Sequence, residues 1–204
     1  SLEDASALSA SSYRINCRDF SLSGTAAINS HGFLLYLNRH FDTNGDVSLG
    51  GNGYVVTSTA GQIRLHHANN DAGTCTITPS GGSLYLLCGD TLTVNSTKND
   101  TAVEIGSGTF LYSRNPSGNA DQILVRNTAA HLSGSTLIAQ RRIQVEDGPL
   151  LEGCTLYVDT AANQTNNHLM VSGAGTHVSG ALISRGQRDP ALSVTGSAQV
   201  DGIV

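Results

Sequence analysis

The densest group of carboxylates lies in the stretch QVEDGPLLEG, which contains Glu146, Asp147 and Glu152. Two carboxyl groups can act as general acid and as base or nucleophile when a polysaccharide is cleaved. Glu146 and Asp147 are adjacent, so on a strand their side chains would point to opposite faces. Asp159 follows the next strand and could lie near them. Glu146, Asp147 and Asp159 are therefore the catalytic candidates, and corner residues on a solvated surface are the alternative.

A second group of oxygen-bearing side chains occurs in HFDTNGDVS, where Asp42, Asn44 and Asp46 take alternate positions. Hard oxygen ligands at this spacing suit Ca²⁺. The full calcium loop is missing, because Gly45 comes one place early and no closing Glu follows. We therefore expect an Asx-rich turn and no cofactor, with Ca²⁺ bound by Asp42, Asn44 and Asp46 as the alternative.

The basic side chains of the later part of the chain gather between strands, at Arg141, Arg142, Arg185 and Arg188. On one edge of a regular stack they would form a short basic stripe for an acidic glycan or a partner carboxylate. A role in solubility is the alternative.

The four cysteines are Cys17, Cys75, Cys88 and Cys154, and no CxxC pair occurs, which disfavours a zinc site. Cys75 and Cys88 are close enough in sequence to form a disulfide. Cys17 and Cys154 suit the packing of small apolar residues in a β-rich core.

The composition indicates one domain of short strands and turns, spanning residues 1–204. Apolar residues make up 39% of the chain and charged residues only 13%, with 23 glycines. The net charge of -5 disfavours a nucleic-acid partner, which normally requires basic contacts to phosphates. No run of about 18 apolar residues is present, so we expect no membrane span in this chain.

An internal repeat determines how these side chains would be positioned. Four copies each hold a strand, a small corner, a second strand and a glycine two residues beyond the second anchor. Their anchor pairs are Val125 and Leu132, Val145 and Leu151, Val171 and Val178, and Val194 and Val200. Less regular copies upstream are centred on Leu22 and Ile28, Val56 and Ile63, Ile77 and Leu84, and Ile105 and Leu111.

Two short strands joined by a small corner and repeated in this way form sides of a coil, and stacked coils pair equivalent strands in parallel. We therefore predict an all-β, parallel β-helix (β-solenoid) of about eight coils, with a β-sandwich as the alternative. Residues 1–14 would be an N-terminal cap or lead-in. Residues 31–53 would form an inserted loop or irregular coil.

The segments LSVTGSAQVDGIV and VSGALISRG resemble coils of bacterial surface adhesins and pilus-associated β-solenoid domains. LEGCTLYV and INCRDFSL are more similar to coils of pectate-lyase-like β-helices, which include phage tailspikes. The resemblance implies a right-handed coil, in agreement with the rule for parallel connections. It also implies an extracellular, cell-surface or virion location.

Two functions remain open at this stage. A non-enzymatic adhesive or structural part of a surface appendage needs only a regular stack with exposed edges, and would bind a surface glycan or a protein. A tailspike-type polysaccharide depolymerase or lyase would need carboxylates gathered on one face. The recurring tyrosines, such as Tyr54 and Tyr85, are interpreted as packing between coils. Val200 and Ile203 would leave an apolar edge, which predicts a continuing stack, a homotrimer or contact with an adjoining domain.

Overall fold

The computed structural model describes residues 1–3, 6–9, 11–66, 73–95, 101–114, 123–159, 168–185 and 191–203. These residues form twenty strands. The strands are β1 (Ala7–Leu8), β2 (Arg14–Cys17), β3 (Phe20–Leu22), β4 (Ala27–Leu37), β5 (Phe41–Thr43), β6 (Val47–Thr57), β7 (Ile63–Leu65), β8 (Gly73–Cys88), β9 (Leu92–Val94), β10 (Thr101–Ile105), β11 (Thr109–Ser113), β12 (Ile123–Arg126), β13 (Ala130–Ser133), β14 (Thr136–Ala139), β15 (Ile143–Glu146), β16 (Leu150–Val158), β17 (Leu169–Ser172), β18 (His177–Ser184), β19 (Leu192–Thr195) and β20 (Gln199–Ile203). Among the described residues, no helix has the length and apolar content needed to cross a membrane.

The strands form two sheets, and all the pairings between the described strands are parallel. Sheet I has eight strands in the order β3, β5, β7, β9, β12, β15, β17 and β19. Sheet II has twelve strands and contains the remaining elements. Parallel pairing throughout is incompatible with the antiparallel β-sandwich that the sequence left open. The all-β, parallel part of the prediction is confirmed.

Sheet II consists of two strips that run side by side. Strip 1 contains β1, β10, β13 and β20, and strip 2 contains β2, β11 and β14, while β4, β6, β8, β16 and β18 cross both. Register shifts fall where the long strands pass from one strip to the other, for example between His31 and Phe33. Gly51 lies at this crossing with φ +77°, and a Cβ there would be 1.9 Å from the Ser30 carbonyl oxygen.

The C-terminal repeat predicted from the sequence is confirmed by the strand register. Its first anchors are aligned in sheet I, as Val125, Val145, Val171 and Val194. Its second anchors are aligned in strip 1, as Leu132, Leu151, Val178 and Val200. Most of these side chains are buried, so each repeat encloses its apolar residues against its neighbours.

The upstream register was predicted wrongly in part. Ile77 and Ile105 were placed with the first anchors, but they belong to the strip 1 column of second anchors. Their true first anchors are Leu65 and Val94 in sheet I. Extra residues lie between these anchors, so the assumed separation of six or seven residues failed. Val56, also taken as an anchor, faces outward on strip 2.

Residues 31–53, expected to be an inserted loop or irregular coil, lie mostly in β4, β5 and β6 and pair in parallel with neighbouring strands. Within the expected lead-in, β1 pairs with β4, and Leu2 forms a bridge to Leu22. Both ends of the described chain therefore continue the same ladders.

Candidate functional site on the outer surface of sheet II

Glu146, one of the predicted catalytic carboxylates, is engaged in contacts that stabilise the stack. Glu146 accepts a hydrogen bond from the Arg126 Nε at 2.8 Å, and it also contacts the Gln144 side-chain amide. Arg126 and Glu146 are register partners on neighbouring strands of sheet I. The ion pair therefore joins two repeats on the outer side of that sheet.

Asp147 and Asp159 lie in different surroundings from Glu146. Asp147 is exposed at a corner with φ 63°, and its backbone N–H donates to the Ser172 carbonyl at 3.3 Å. Asp159 directly follows β16 at the outer edge of strip 2. Its carboxylate accepts hydrogen bonds from Arg185 and from the Tyr157 hydroxyl, each at 3.3 Å. Arg185 Nη1 also donates a hydrogen bond to the Tyr157 hydroxyl at 3.4 Å, and this contact, followed by the charge of Asp159, raises the pKa of Arg185. The structure thus joins Asp159 to a predicted binding arginine and gives it no contact with Glu146.

The other predicted arginines differ in exposure. Arg141 is buried, whereas Arg142 is half-buried with Nη1 3.8 Å from the Met170 sulfur. Arg185 is exposed, and Arg188 lies outside the described residues. Because Arg141 is buried, it cannot form part of the exposed basic stripe that the sequence predicts.

The calcium candidates have protein partners. Arg64 donates to both carboxylate oxygens of Asp42 at 2.6 Å, and Thr74 donates its backbone N–H to Asp46 at 2.8 Å. The Asn44 backbone N–H donates to the Leu22 carbonyl at 2.9 Å. Within the described ranges, no three His, Cys, Asp or Glu side chains are grouped to hold a metal ion.

Cys75 and Cys88 are free thiols near the two ends of β8, so the predicted disulfide is not formed. The Thr43 hydroxyl is 3.3 Å from the Cys75 sulfur, and the Cys88 thiol donates to the Gly61 carbonyl at 3.2 Å. Burial raises the pKa of each thiol to about 11. Both cysteines act as small core residues, as does the buried Cys154.

Strip 1 carries a cluster of histidine and carboxylate side chains that the sequence alone did not predict. His131 contacts Glu104 through Nδ1 at 3.1 Å and Glu152 through Nε2 at 2.9 Å. Two coils further along, a similar contact occurs, with His177 Nε2 2.9 Å from the Asp201 carboxylate. Each carboxylate uses a different ring nitrogen, so the side chains join successive strands and do not converge on one point.

Strip 2 has the opposite character on its outer side from β4 to β18, and we call the fourteen outward positions of these seven strands the aromatic face. They form two columns, each with one residue per strand. The first column is Leu34, Tyr54, Tyr85, Phe110, Thr136, Thr155 and Ala181. The second column is Tyr36, Val56, Leu87, Tyr112, Ile138, Tyr157 and Ile183. None of these fourteen positions carries a charge, and the columns are preceded on β2 by the exposed residues Arg14 and Asn16.

The aromatic rings of the first column form a ladder. Tyr54 stacks on Tyr85 with ring centroids 4.8 Å apart, and Tyr85 stacks on Phe110 at 4.9 Å. The predicted packing between coils is therefore real, but the rings lie on the outside of the molecule. Tyr54 remains 45% exposed and Tyr36 41% exposed. The signal was present in the sequence, since the positions that alternate with buried residues in this strip are apolar where polar residues are usual.

A cleft of about 330 Å³ lies where β4, β6 and β8 cross between the strips, and we call it the ring cleft. Its lining comprises Gly32, Phe33, Leu34, Asn52, Gly53, Tyr54, Ser83 and Tyr85. Asn52 holds this crossing together, because its side chain accepts from the Gly32 N–H at 2.6 Å and donates to the Gly81 carbonyl at 2.8 Å.

A second cleft of about 240 Å³ lies on strip 1 of the same strands and is lined by Asn29, Ser48, Leu49, Gly50, Thr76, Thr78 and Ser80. On strip 1, the second cleft therefore presents uncharged hydroxyl and amide groups. Where the strands cross to strip 2, the ring cleft presents tyrosine rings. Leu34 is the register neighbour of Tyr54 on the side away from Tyr85, so a non-aromatic residue stands where the ladder would continue. This arrangement suits an uncharged ligand that has both an apolar surface and hydroxyl groups.

Comparisons with protein-family models, curated proteins and solved structures found no significant match to the chain.

Proposed function

We propose that the chain is a right-handed β-solenoid of about eight coils that serves as a non-enzymatic, extracellular part of a surface appendage and binds a glycan. The eight strands of sheet I support the coil number. Connections between parallel strands of one sheet are almost always right-handed, which supports the handedness. Successive coils bury apolar columns against one another, and such a rod needs no further domain to present a long binding surface.

The ring cleft is the proposed glycan site, and the 45% exposure of the Tyr54 ring in the cleft lining is the observation that carries the proposal. The C–H face of a pyranose can pack against an aromatic ring, and the Tyr54 hydroxyl adds a polar group at the ring edge. Ser83 lines the same cleft and supplies a hydroxyl for hydrogen bonds to the sugar. Leu34 and Tyr85 complete the apolar wall.

A neutral glycan fits this site better than an acidic one. The cleft lining contains no charged side chain, and the chain has a net charge of -5. An acidic polysaccharide would therefore meet overall repulsion, offset only by cations outside the lining such as Arg14, the register partner of Leu34.

The test is a panel of neutral and acidic oligosaccharides, with binding to the chosen ligand then measured by titration calorimetry. We expect Tyr54→Leu to weaken binding about tenfold or more, which corresponds to about 1.4 kcal/mol. Tyr36→Leu is the matched control, because Tyr36 has similar exposure and lies outside the cleft lining. Equal losses in both variants, or no binding of any neutral glycan, would contradict the proposed site. Release of new reducing ends would favour the depolymerase instead.

A further inference from the structure

The aromatic face is too long and too apolar to be a scatter of single exposed residues. Its fourteen positions run over seven successive strands and contain only aromatic or aliphatic side chains and two threonines. Contiguous apolar surfaces of this kind usually mark a contact site. Charged residues flank it, including Arg114, Asp159 and Arg185 at its outer edge. An apolar centre with a polar border is the usual anatomy of a protein interface.

The sizes of the side chains are ordered along the first column. The bulky residues Tyr54, Tyr85 and Phe110 occupy the N-terminal half, and Thr136, Thr155 and Ala181 occupy the C-terminal half. In a face-to-face contact between two copies, a two-fold axis parallel to the strands would keep each column opposite itself and reverse its order.

The reversed order sets large side chains of the first column against small ones. Tyr54 would meet Thr155 of the second copy, and Tyr85 would meet Thr136 of the second copy. Phe110 lies at the centre and would meet its own equivalent across the axis. Every ring except the central one is thereby opposed by a small residue.

The reversed order sets the tyrosines of the second column against aliphatic residues, except Tyr112, which lies at the centre and would meet its own equivalent. Tyr36 would meet Ile183 of the second copy, Val56 would meet Tyr157, and Leu87 would meet Ile138. A two-fold axis along the stack would instead set the two columns against each other strand by strand. Tyr85 would then face Leu87 and Phe110 would face Tyr112 near the centre, while Ala181 would face Ile183 at the C-terminal end.

We propose that the aromatic face is a homodimer interface in which two copies pack face to face with their stacks antiparallel. Seven strands about 4.8 Å apart and two side-chain columns give an area of about 500 Å² per copy, or about 1,000 Å² in total. This value is at the lower limit for a specific interface, so the dimer is reversible and forms with rising concentration.

The first test is sedimentation velocity of the full chain over a range from low micromolar to near-millimolar concentration. The wild type shifts from monomer to dimer, and Ile138→Arg stays monomeric because it places an unpaired charge in the centre of the interface. Leu150→Arg is the control, since Leu150 also faces outward on sheet II but on strip 1. It dimerises like the wild type. A monomer at all concentrations, a trimer, or equal behaviour of the two variants would overturn the proposal.

The second test determines the orientation by disulfide crosslinking. A mixture of the Tyr36→Cys and Ile183→Cys variants gives a covalent dimer on mild oxidation, because these positions face each other only in the antiparallel arrangement. Tyr36→Cys alone gives none, since its two copies lie at opposite ends of the interface. Crosslinking of Tyr36→Cys alone with none in the mixture would overturn the antiparallel order.

The two proposals can fail separately, because none of the positions changed in these tests lines the ring cleft. A monomeric Ile138→Arg variant that still binds the neutral glycan would leave the glycan site intact. Tyr54 and Tyr85 belong both to the ring cleft and to the aromatic face, so glycan binding and dimerisation would compete. A wild-type chain that binds no glycan at concentrations where it is monomeric, but dimerises at higher ones, would contradict the glycan site alone.

Discussion

Replacement of a sheet I valine by aspartate should destabilise the protein more at a buried interior coil than at the exposed C-terminal coil. Val145 is fully buried between Val125 and Val171, whereas Val194 holds the same column position and is 43% exposed. Val145→Asp forfeits about 1.5–3 kcal/mol of side-chain burial. Burying the new carboxyl group costs several kcal/mol more. The total of about 5 kcal/mol is comparable to the whole stability of many domains.

Val194→Asp is the matched control, because it makes the same chemical change in the same column at a half-exposed site. We expect it to lower the free energy of unfolding by about 1 kcal/mol or less. Urea denaturation followed by far-ultraviolet circular dichroism measures both variants. Equal losses at the two positions, or an unchanged midpoint for Val145→Asp, would refute the inward assignment of this column.

Three further predictions concern backbone geometry, ion pairing and thiols. Gly51→Ala should lower the denaturation midpoint far more than Gly153→Ala, because both glycines have positive φ but only Gly51 lies against backbone atoms. Asp42→Asn should lower thermal stability by the same amount with and without added Ca²⁺, because its carboxylate binds an arginine. For Cys75 and Cys88, the folded pKa of about 11 lies above the unfolded value of about 8.5, so their contribution to stability is complete below about pH 8.5 and is lost as pH rises to 11. Denaturation midpoints measured across that range should fall, and a flat profile would contradict the burial of these thiols.

The C-terminal ladders could be predicted from sequence because their corners have nearly constant length. Val145 and Leu151 are separated by six residues, and Val171 and Val178 by seven. Upstream, Leu65 and its second anchor Ile77 are separated by more than seven residues. A search for a six- or seven-residue separation therefore assigns Ile77 to the wrong column. Loop length at a corner is not limited by stacking, because only the strands must keep register.

The candidate sites were harder to predict because their partners come from other coils. Glu146 appears as a free carboxylate in sequence, yet Arg126 lies beside it once two strands pair. Tyr85 posed a different difficulty: in SLYLL both the inward and outward positions are apolar, so alternation alone cannot say which side is solvent. Only the two-strip geometry of sheet II places Leu86 inside and Tyr85 outside.

Charged and polar contacts lie on the outer sides of sheet I and strip 1, whereas the outer side of strip 2 is apolar. This distribution favours self-association through strip 2. Sheet I carries the Arg64 and Asp42 ion pair, and strip 1 carries the His131 cluster. Strip 2 carries neither type of contact on its fourteen face positions. The charged sides can keep each copy hydrated while the apolar side is covered, so dimerisation would not need to remove these ion pairs from water. Hydrophobic contacts strengthen in sulfate, whereas ion pairs weaken with salt. The dimer should therefore become tighter as ammonium sulfate is added, and weakening by salt would show that charged groups outside the aromatic face hold the two copies together.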